Sequence, residues 1–439
     1  MRITPARRLK GRLTLPGDKS ISHRAALIAA LSSGNSEISN FSTARDCAST
    51  LACLQQLGIS IHRTDDGRIR FPGNQPLTPP RERLDCGNSG STMRILAGIL
   101  AGQNFSSELI GDESLSARPM RRIIEPLEIM GAKIESTEGK PPLKIHGTDK
   151  LVSITYELPV ASAQVKSAIL FAGLSTHGRT TVIEKMPTRD HTERLFNGFG
   201  VPVTIHESSI YIDGPARFTG GSITIPGDAS SAAYFVAAAM LLPRSELTIE
   251  NVGLNPTRAA FLNVFKTWGA EISTTDLRDE HNEPVGTINV RGWADGVIGR
   301  SAEGEIDSGS PNPPVSGSMI PSLIDELPLL AVTGTQIPGG IQIRDAEELR
   351  LKESDRLQAT AQNLRAMGAE VEEFDDGIAV AGPTQLRGAK IDSYGDHRIA
   401  MAFSIAALIA DGETEIKGSE CVAISFPEFF ELLHSLAER

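Results

Sequence analysis

The stretch LTLPGDKSISHRAALIAAL, from Leu13 to Leu31, decides the fold, because the chain repeats its pattern. A β-like run ends in a small-residue turn, and an Ala-rich helix with polar residues in its first turn follows at once. Further copies begin at Leu84, Leu158, Ile223, Ser318 and Asp392. A second phrase, an apolar residue and Gly before a β-like run, occurs at Leu57, Met130, Phe199, Trp268 and Met367. Successive copies lie about 70 residues apart, with one gap of about 100, so the chain consists of repeats.

The repeats also predict how the chain divides into domains. Two near-duplicate phrases, LPGDKS at Leu15 and IPGDAS at Ile225, would mark two crossings between lobes of three repeats each. One lobe would then be continuous over residues 17–228, and the other would combine residues 1–16 with 229–439. Helices such as Ala25–Leu31 and Ala400–Ala410 are apolar on nearly every face, which predicts an α/β fold with helices inside and sheets outside. We expect the active site between the lobes.

Several cations lie in or near the first turns of the predicted helices, where the helix dipole disfavours them. They are Lys19, Arg24, Arg94, Lys166 and Arg398. A single one of these side chains could extend into solvent. Five of them, at helix N-termini that themselves attract anions, predict that something negatively charged binds there.

Composition narrows the class of protein. The net charge of −11 over 439 residues argues against nucleic acid or an anionic membrane as the main partner, since both require a basic face. No apolar run approaches the roughly 18 residues of a membrane span, and the N-terminus lacks the apolar core of a signal peptide. The four cysteines show no CxxC pairing. We therefore expect free thiols and a cytoplasmic enzyme.

The patterns for nucleotides and metals are weak. The GDKS phrase differs from a nucleotide-binding phosphate loop, because Asp18 separates Gly17 from Lys19. No Gly-rich dinucleotide fingerprint follows the first strand. The segment Arg189–Glu193 has one His and two acids beside an Arg, which favours an ion-paired helix start over a metal site. The sequence thus predicts neither a cofactor nor a metal.

Six spaced motifs resemble those of the 3-phosphoshikimate 1-carboxyvinyltransferase (EPSP synthase) family, in order and across nearly the whole chain. They are LPGDKSISHR from Leu15, GNSGSTMR from Gly87, ARPM from Ala117, SAQVKSA from Ser162, LKESDRL from Leu351 and GDHRIAMAF from Gly395. The resemblance implies a two-lobed, inside-out α/β barrel, with three βαβαββ repeats in each lobe. It also implies a transferase that is monomeric and uses no cofactor. That enzyme moves the enolpyruvyl group of phosphoenolpyruvate to the 5-hydroxyl of shikimate 3-phosphate and releases phosphate.

Both substrates carry phosphate and carboxylate groups, for which Arg is well suited. By resemblance, shikimate 3-phosphate is bound by Lys19, Ser20, Arg24, Ser162, Ala163, Gln164, Arg189, Asp325 and Lys352. By the same resemblance, phosphoenolpyruvate is bound by Lys19, Asn88, Gly90, Arg118, Gln164, Arg356 and Arg398. Gly90 would let the ligand approach the backbone closely. The resemblance also implies that glyphosate inhibits at the phosphoenolpyruvate site.

The reaction is an addition followed by an elimination, so it requires two proton-transfer groups. The resemblance assigns Asp325 to the acceptor hydroxyl and Glu353 to C3 of phosphoenolpyruvate, with Lys19 and His397 close by. The alternative for both acids is an ion pair with neighbouring Arg or Lys. A cationic site would also lower the pKa of Glu353, whereas a proton donor needs a raised one.

The chain departs from many family members at Ile424, in AISFPEF, where they carry a Lys. Together with SAQVKSA, RDHTE from Arg189 and NPTR from Asn255, this resembles the family's second class, which lacks that Lys. The role of Lys166 stays open.

Two alternatives remain. The enzyme that transfers enolpyruvate to UDP-N-acetylglucosamine shares the fold, but it typically has a Cys near the segment Gly111–Arg118, which here has none. A non-catalytic phosphometabolite-binding protein would keep the cations but could lose the acids, and Asp325 and Glu353 are both present.

Overall fold

The computed structural model describes residues 1–293, 300–301, 304–305 and 312–439. The chain forms two compact units. Unit I contains Pro16–Pro226 and the short segment Asp279–Glu283. Unit II contains Met1–Leu15, Gly227–Arg278 and Pro284–Arg439. The sequence analysis had placed residues 279–283 with the discontinuous lobe, whereas their contacts join them to unit I.

Both units contain helices of one to four turns. The helices of unit I are α1 (Lys19–Leu31), α2 (Arg45–Gln56), α3 (Gly90–Ala101), α4 (Glu113–Ala117), α5 (Arg121–Ile129), α6 (Ala163–Gly173) and α7 (His191–Gly198). The helices of unit II are α8 (Ala229–Leu241), α9 (Ala260–Thr267), α10 (Ile320–Leu323), α11 (Leu327–Gly334), α12 (Arg356–Ala366), α13 (His397–Ile409) and α14 (Phe429–Leu436). Unit II also has 3-10 turns at Gly317–Met319, Glu347–Leu351 and Ser419–Ile424.

The strands are short and spread over the whole described chain. From the N-terminus to the middle they are β1 (Arg2–Ile3), β2 (Arg8–Thr14), β3 (Ser36–Ser39), β4 (His62–Arg63), β5 (Ile69–Phe71), β6 (Leu84–Asp85), β7 (Ser106–Ile110), β8 (Lys133–Thr137), β9 (Lys140–His146), β10 (Thr155–Glu157), β11 (Gly178–Ile183), β12 (Val203–His206), β13 (Ser209–Gly214) and β14 (Ser222–Thr224). The remainder are β15 (Glu246–Gly253), β16 (Glu271–Glu280), β17 (Glu283–Arg291), β18 (Arg300–Ser301), β19 (Gly304–Glu305), β20 (Ile341–Ile343), β21 (Val371–Phe374), β22 (Gly377–Val380), β23 (Lys390–Asp392), β24 (Thr414–Lys417) and β25 (Ala437–Glu438).

The three sheets of unit I share one plan, a parallel pair extended by an antiparallel hairpin. Their orders are β14-β3-β5-β4, β6-β7-β9-β8 and β10-β11-β13-β12. The order β2-β15-β17-β16 in unit II follows the same plan, with β25 on its edge. The other unit II sheets are β20-β22-β21 and β1-β24-β23, the latter with a parallel β23–β24 pair. The recurring plan confirms the repeats predicted from the sequence.

The first strands of two repeats are exchanged. Strand β2 lies just before the first crossing of the chain, yet it pairs in parallel with β15 of unit II. Strand β14 lies just before the second crossing and pairs in parallel with β3 of unit I. Each unit therefore completes one of its sheets with a strand distant in sequence.

The core of each unit is formed by three helices that are buried on nearly every face. They are α1, α3 and α6 in unit I and α8, α11 and α13 in unit II. All 13 residues of α8 are buried. Helix α3 packs so closely on α6 that a Cβ at Gly98 would lie 2.1 Å from the carbonyl oxygen of Ala168. Because close packing leaves no room there, only Gly fits. Buried helices with outer sheets confirm the predicted inversion.

Small polar residues cap most of these buried helices. In unit I the side chains of Asp18, Ser89 and Ser162 accept a hydrogen bond from the first turns of α1, α3 and α6. In unit II, Asp228 and Asp396 do the same for α8 and α13. Each such cap is worth about 1 kcal/mol. The small-residue turns before α1, α3, α6, α8 and α13 thus act as N-caps, and they place the side chains that follow them at one end of a buried helix.

The cysteines Cys47, Cys53, Cys86 and Cys421 are buried and unpaired, in agreement with the sequence analysis. Among the described residues, no helix has the length and apolarity that crossing a membrane requires.

Candidate active site

One group of predicted residues meets at the start of α3 in unit I. The Asn88 side chain lies between two partners: its Nδ2 donates to Asp112 at 2.8 Å, and its Oδ1 accepts from Nη2 of Arg118 at 2.7 Å. Arg118 also donates to Ser114 Oγ at 3.1 Å. Ser89, which follows Asn88, is the N-cap of α3, and Gly90 is the first residue of that helix. The Asn88 amide, the Arg118 guanidinium group and the Gly90 backbone thus lie together at one helix N-terminus.

Arg94 belongs to the same group. Its Nη1 donates to Gln164 Oε1 at 2.6 Å, and Gln164 Nε2 donates to Ser91 Oγ at 2.8 Å. A Cβ built at Gly90 would lie 2.8 Å from Nη1 of Arg94 and 3.4 Å from Nη1 of Arg118. Two guanidinium groups therefore flank Gly90. Arg94 stands among the cations that the sequence analysis noted at helix starts, but its spacing of one turn after Gly90 was not used to place it in the site.

Helix α1 supplies two further cations. The ammonium group of Lys19 lies 3.0 Å from Oδ2 of the buried Asp46. Five residues on, Arg24 is buried and donates from Nε to Thr192 Oγ1 at 2.7 Å and from Nη2 to Ser167 Oγ at 2.9 Å. Its Nη1 donates to the carbonyl oxygen of Ser20 at 2.9 Å. Burial lowers the pKa of Arg24 to about 10, against the opposing effect of Glu193.

The segment around α6 and α7 completes the group in unit I. Ser162 is the N-cap of α6, and Ala163 and Gln164 are its first two residues. Arg189 is half-buried two residues before α7, and it acts electrostatically on Arg24. Within α7, His191 Nδ1 lies 2.6 Å from Glu283 Oε1, and Glu193 pairs with Lys166. The His and acids of this segment thus form ion pairs and hydrogen bonds at a helix start, the arrangement that the sequence favoured over a metal site.

In unit II the two predicted proton-transfer acids meet on one buried guanidinium group. Arg356 Nη2 donates to Glu353 Oε2 at 2.5 Å, and Arg356 Nη1 donates to Asp325 Oδ1 at 3.3 Å. Its Nε donates to Asp396 Oδ2 at 2.8 Å. Burial opposes the charge of Arg356, but Asp396, Glu353 and Asp325 outweigh it and raise its pKa. The ion pairs that the sequence analysis kept as an alternative are therefore present.

Asp325 lies among three arginines. Its Oδ2 is 3.5 Å from Nη1 of Arg258 and 3.7 Å from Nη2 of Arg398. Arg258 also approaches Asp228 Oδ1 at 3.5 Å, and Arg398 approaches Glu326 Oε1 at 3.8 Å. Burial disfavours the charge of Arg398, yet Asp325 and its other neighbours raise its pKa well above the ordinary value. Arg356 and Arg398 therefore keep their positive charges in the interior of unit II.

The loops around Asp325 bring in the remaining predicted residues. Asp396 caps α13, whose first two residues are His397 and Arg398, and Ser354 donates to Asp396 Oδ2 at 3.1 Å. Asp396 thus fastens the loop that carries Glu353 to the start of α13. Lys352 is half-buried in that loop, and burial lowers its pKa against the attraction of Asp325.

Several of these partners were not singled out in the sequence, notably Asp46, Arg258, Glu326 and Asp396. For Asp396 the signal was available, because it occupies the same turn position as the capping residues Asp18 and Asp228. Asp46 and Glu326 gave no signal, since their roles depend on contacts between elements. Ile424, the position at which the sequence analysis noted a departure from the family pattern, packs against the apolar core of unit II.

A fold of six repeats on buried helices, with Arg and Lys gathered beside carboxylates at the helix starts, defines an α/β enzyme suited to small polyanionic substrates. The profile of EPSP synthase (3-phosphoshikimate 1-carboxyvinyltransferase) matches residues 3–433. A curated 3-phosphoshikimate 1-carboxyvinyltransferase from Koribacter versatilis is 50% identical over 440 residues, which is 100% of this chain and 99% of the relative. One from Solibacter usitatus is 46% identical over 441 residues, covering 100% of this chain and 99% of the relative.

Solved structures agree with the sequence matches. An EPSP synthase from Acinetobacter baumannii superimposes with a TM-score of 0.84 at 38% identity, covering 99% of this chain and 98% of that one. The enolpyruvyl transferase NikO from Streptomyces tendae superimposes with a TM-score of 0.76 at 19% identity, covering 99% and 96%, which shows the shared fold. The chain belongs to the EPSP synthase family.

Proposed function

We propose that this protein is a 3-phosphoshikimate 1-carboxyvinyltransferase, which moves the enolpyruvyl group of phosphoenolpyruvate to the 5-hydroxyl of shikimate 3-phosphate. The full-length identity to curated relatives of that name supports the choice of reaction. The observation that carries the chemistry is that Asp325 and Glu353 both bind the guanidinium group of Arg356. One buried cation thereby holds two carboxyl groups together, as an addition and elimination with two proton transfers requires.

The proposed steps conserve every atom and charge. The 5-hydroxyl of shikimate 3-phosphate gives its proton to Asp325 as its oxygen attacks C2 of phosphoenolpyruvate, while Glu353 gives a proton to C3. In the elimination, the Glu353 carboxylate takes a proton back from C3 of the tetrahedral intermediate. The double bond re-forms as the C2–O bond to phosphate breaks, and the departing phosphate takes the proton held by Asp325, so both acids return to their starting states. Lys19 and His397 assist as charged or hydrogen-bonding groups near the reacting atoms. The bonds from Arg356 orient both acids, so that each proton has a defined acceptor or donor.

Substrate binding is assigned to the residues carried over from the family. In unit I, Lys19, Ser20, Arg24, Ser162, Ala163, Gln164 and Arg189 bind shikimate 3-phosphate, and Lys19, Asn88, Gly90, Arg118 and Gln164 bind phosphoenolpyruvate. In unit II, Asp325 and Lys352 serve shikimate 3-phosphate, and Arg356 and Arg398 serve phosphoenolpyruvate. We add Arg94 to the phosphoenolpyruvate group, because it flanks Gly90 beside Arg118.

The test is phosphate release by the purified protein. Phosphate should appear only when shikimate 3-phosphate and phosphoenolpyruvate are both present, without added metal and without inhibition by EDTA. UDP-N-acetylglucosamine is offered as acceptor in a parallel reaction. Equal turnover with that sugar nucleotide would favour the sister activity. Binding of shikimate 3-phosphate without turnover would favour a non-catalytic binding protein.

Two finer assignments belong to the same proposal. Glyphosate competes with phosphoenolpyruvate beside Gly90, where two arginines offer their charge to its phosphonate and carboxylate groups. The protein works as a monomer in the cytoplasm, an assignment supported by free cysteines and a substrate pair of small soluble anions.

A further inference from the structure

Lys166 lies in the interior of unit I, and the chemistry described so far gives it no part. Its side chain is fully buried, and its ammonium group contacts two carboxylates, Glu193 Oε1 at 2.7 Å and Glu184 Oε1 at 3.0 Å. Burial opposes the charge, but Glu193 and Glu184 outweigh it and raise the pKa of Lys166. The ammonium group is therefore charged, fully buried and paired with two carboxylates, which argues against a direct contact with a substrate phosphate.

The first carboxylate fastens the chain directly before Arg189. Glu184 Oε2 accepts hydrogen bonds from Thr188 Oγ1 at 2.8 Å and from the Thr188 backbone N–H at 3.3 Å. Between these residues, 185–187 are exposed. The loop is thus tied at its two ends by one carboxylate, and Lys166 holds that carboxylate. Because Arg189 follows Thr188, its backbone position depends on this connection.

The second carboxylate belongs to α7, which helps to hold Arg24. Thr192 Oγ1, next to Glu193, accepts from Arg24 Nε and lies 2.7 Å from Ser167 Oγ. Ser167 donates to the carbonyl oxygen of Ala163 and accepts from Arg24 Nη2, so Thr192 must donate to Ser167. Lys166 and Ser167 of α6 thus hold neighbouring residues of α7, and those residues hold the Arg24 guanidinium group.

The charge of Lys166 gives a second link between this residue and Arg24. Glu193 acts electrostatically on Arg24. If Lys166 did not pair with Glu193, that carboxylate would attract the Arg24 guanidinium group and compete with a bound phosphate for its charge. The Lys166 ammonium group, paired with Glu193, reduces this competition at Arg24.

We propose that Lys166 is a positioning residue for shikimate 3-phosphate: through Glu184 it fixes the backbone before Arg189, and through Glu193 it holds α7, whose Thr192 orients the Arg24 guanidinium group. This inference rests on the proposed function, in which Arg24 and Arg189 bind shikimate 3-phosphate. It predicts a selective effect. Removing the ammonium group should weaken the use of shikimate 3-phosphate and leave the use of phosphoenolpyruvate nearly intact.

The experiment measures KM for both substrates, and kcat, in the full-length protein. Lys166→Met should raise KM for shikimate 3-phosphate about tenfold or more, because displacement of a binding group by about 1 Å can cost that much. KM for phosphoenolpyruvate should change less than about twofold, the size of an ordinary surface substitution. Lys417→Met removes an exposed lysine that pairs with Asp392 and should change neither constant. Adding Glu193→Gln to Lys166→Met should lower KM for shikimate 3-phosphate part of the way back to the wild-type value.

Further variants separate the inference from the function on which it rests. Arg189→Met should raise KM for shikimate 3-phosphate by itself, and an unchanged value would overturn both the site assignment and the inference. If Arg189→Met raises KM but a folded Lys166→Met does not, or if both substrates are affected equally, only the inference is overturned. If Lys166→Met fails to fold, the variant Thr188→Val tests the inference instead. It removes the hydroxyl donor to Glu184, and an unchanged KM for shikimate 3-phosphate would overturn the inference.

Discussion

Asp325 and Glu353 are held by one guanidinium group, yet each has its own role in the proposed proton transfers. Asp325→Asn and Glu353→Gln keep the shape of the side chain and remove its capacity to exchange a proton. Each change should lower kcat by about 10²-fold or more, the usual scale of general acid–base catalysis, with modest changes in KM. Steady-state kinetics of phosphate release measures both constants.

Matched controls come from exposed acids outside the candidate site. Asp213→Asn, in an exposed pair with Arg179, and Glu135→Gln, in an exposed pair with His146, should leave kcat unchanged. Near-normal kcat in Asp325→Asn or Glu353→Gln would remove that acid from the mechanism and leave it as an ion-pair partner of Arg356.

Gly90 offers a test of ligand fit at the same scale. A methyl group there would crowd the ends of Arg94 and Arg118, which are flexible enough to yield to a small substrate. Glyphosate is longer than phosphoenolpyruvate, so Gly90→Ala should disfavour the inhibitor more, with overpacking on the order of 1–3 kcal/mol. The ratio of glyphosate Ki to phosphoenolpyruvate KM should rise.

Gly221→Ala is the control, because nothing lies within 4 Å of a Cβ at Gly221 and its ratio should match wild type. A ratio that stays level or falls in Gly90→Ala would show that Gly90 does not line the inhibitor's pocket. The sequence predicted that a ligand can approach the Gly90 backbone closely. It did not predict that Arg94 flanks Gly90, because the direction of a side chain at a helix start depends on its packing.

At the scale of elements, a buried hydrogen-bond chain links three helices of unit I. His23 of α1 bonds Thr50 of α2 at 2.6 Å, Thr50 bonds Thr92 of α3 at 2.7 Å, and Thr92 donates to the cap residue Ser89 at 2.7 Å. Burial lowers the pKa of His23 well below its usual range, and Lys19 and Arg24 act in the same direction. The native chain therefore requires a neutral imidazole.

This requirement makes the free energy of unfolding depend on pH. Below a pH of about 6.5 the unfolded chain binds a proton at His23 that the folded chain refuses. Stability should thus fall with decreasing pH, by up to about 1.4 kcal/mol per pH unit from this residue, until the lowered pKa is reached. His23→Gln should reduce that slope in urea titrations between about pH 4 and 7, relative to wild type.

His62→Gln, at an exposed position in β4, is the comparison and should leave the slope as it is in wild type. If wild type and His23→Gln show the same slope, His23 is protonated in the folded state or does not contribute to the dependence.

The elements show where sequence reasoning succeeds and where it fails. The six helix starts and their burial were predictable, because an Ala-rich helix that is apolar all round has only one favourable place, the core. The assignment of Asp279–Glu283 to unit I could not be predicted. It depends on contacts such as the one between His191 and Glu283, 92 residues apart. No local pattern records such a pair. The partners of Lys166 escaped prediction for the same reason.

For the whole molecule, the residues proposed to bind shikimate 3-phosphate come from unit I and from unit II, and this assignment predicts that one ligand affects both units. Shikimate 3-phosphate at about 100 times its Kd should raise the free energy of unfolding by about 2.7 kcal/mol. Hydrogen exchange should slow in α1 and α6 of unit I and also around Lys352 and Glu353 of unit II. Hydrogen exchange measured by mass spectrometry, with and without shikimate 3-phosphate, shows which segments the ligand protects.

Inorganic sulfate at the same ionic strength controls for salt effects, which screen charges without occupying the site selectively. Protection confined to unit I would remove Asp325 and Lys352 from the binding of shikimate 3-phosphate.

The exchanged strand β2 has a consequence for how the protein is made. Leu9 bonds Ser245, 236 residues along the chain, and the N-terminal amine bonds the carbonyl oxygen of Ile416, 415 residues along. At a synthesis rate of about 5–20 residues per second, β2 waits roughly 10–50 seconds after its own synthesis until its neighbour β15 has been made. Most of unit I can meanwhile complete its sheets. Strand β2 thus stays unpaired while the intervening residues are made, and its charged residues Arg8, Lys10 and Arg12 help to keep an unpaired strand soluble.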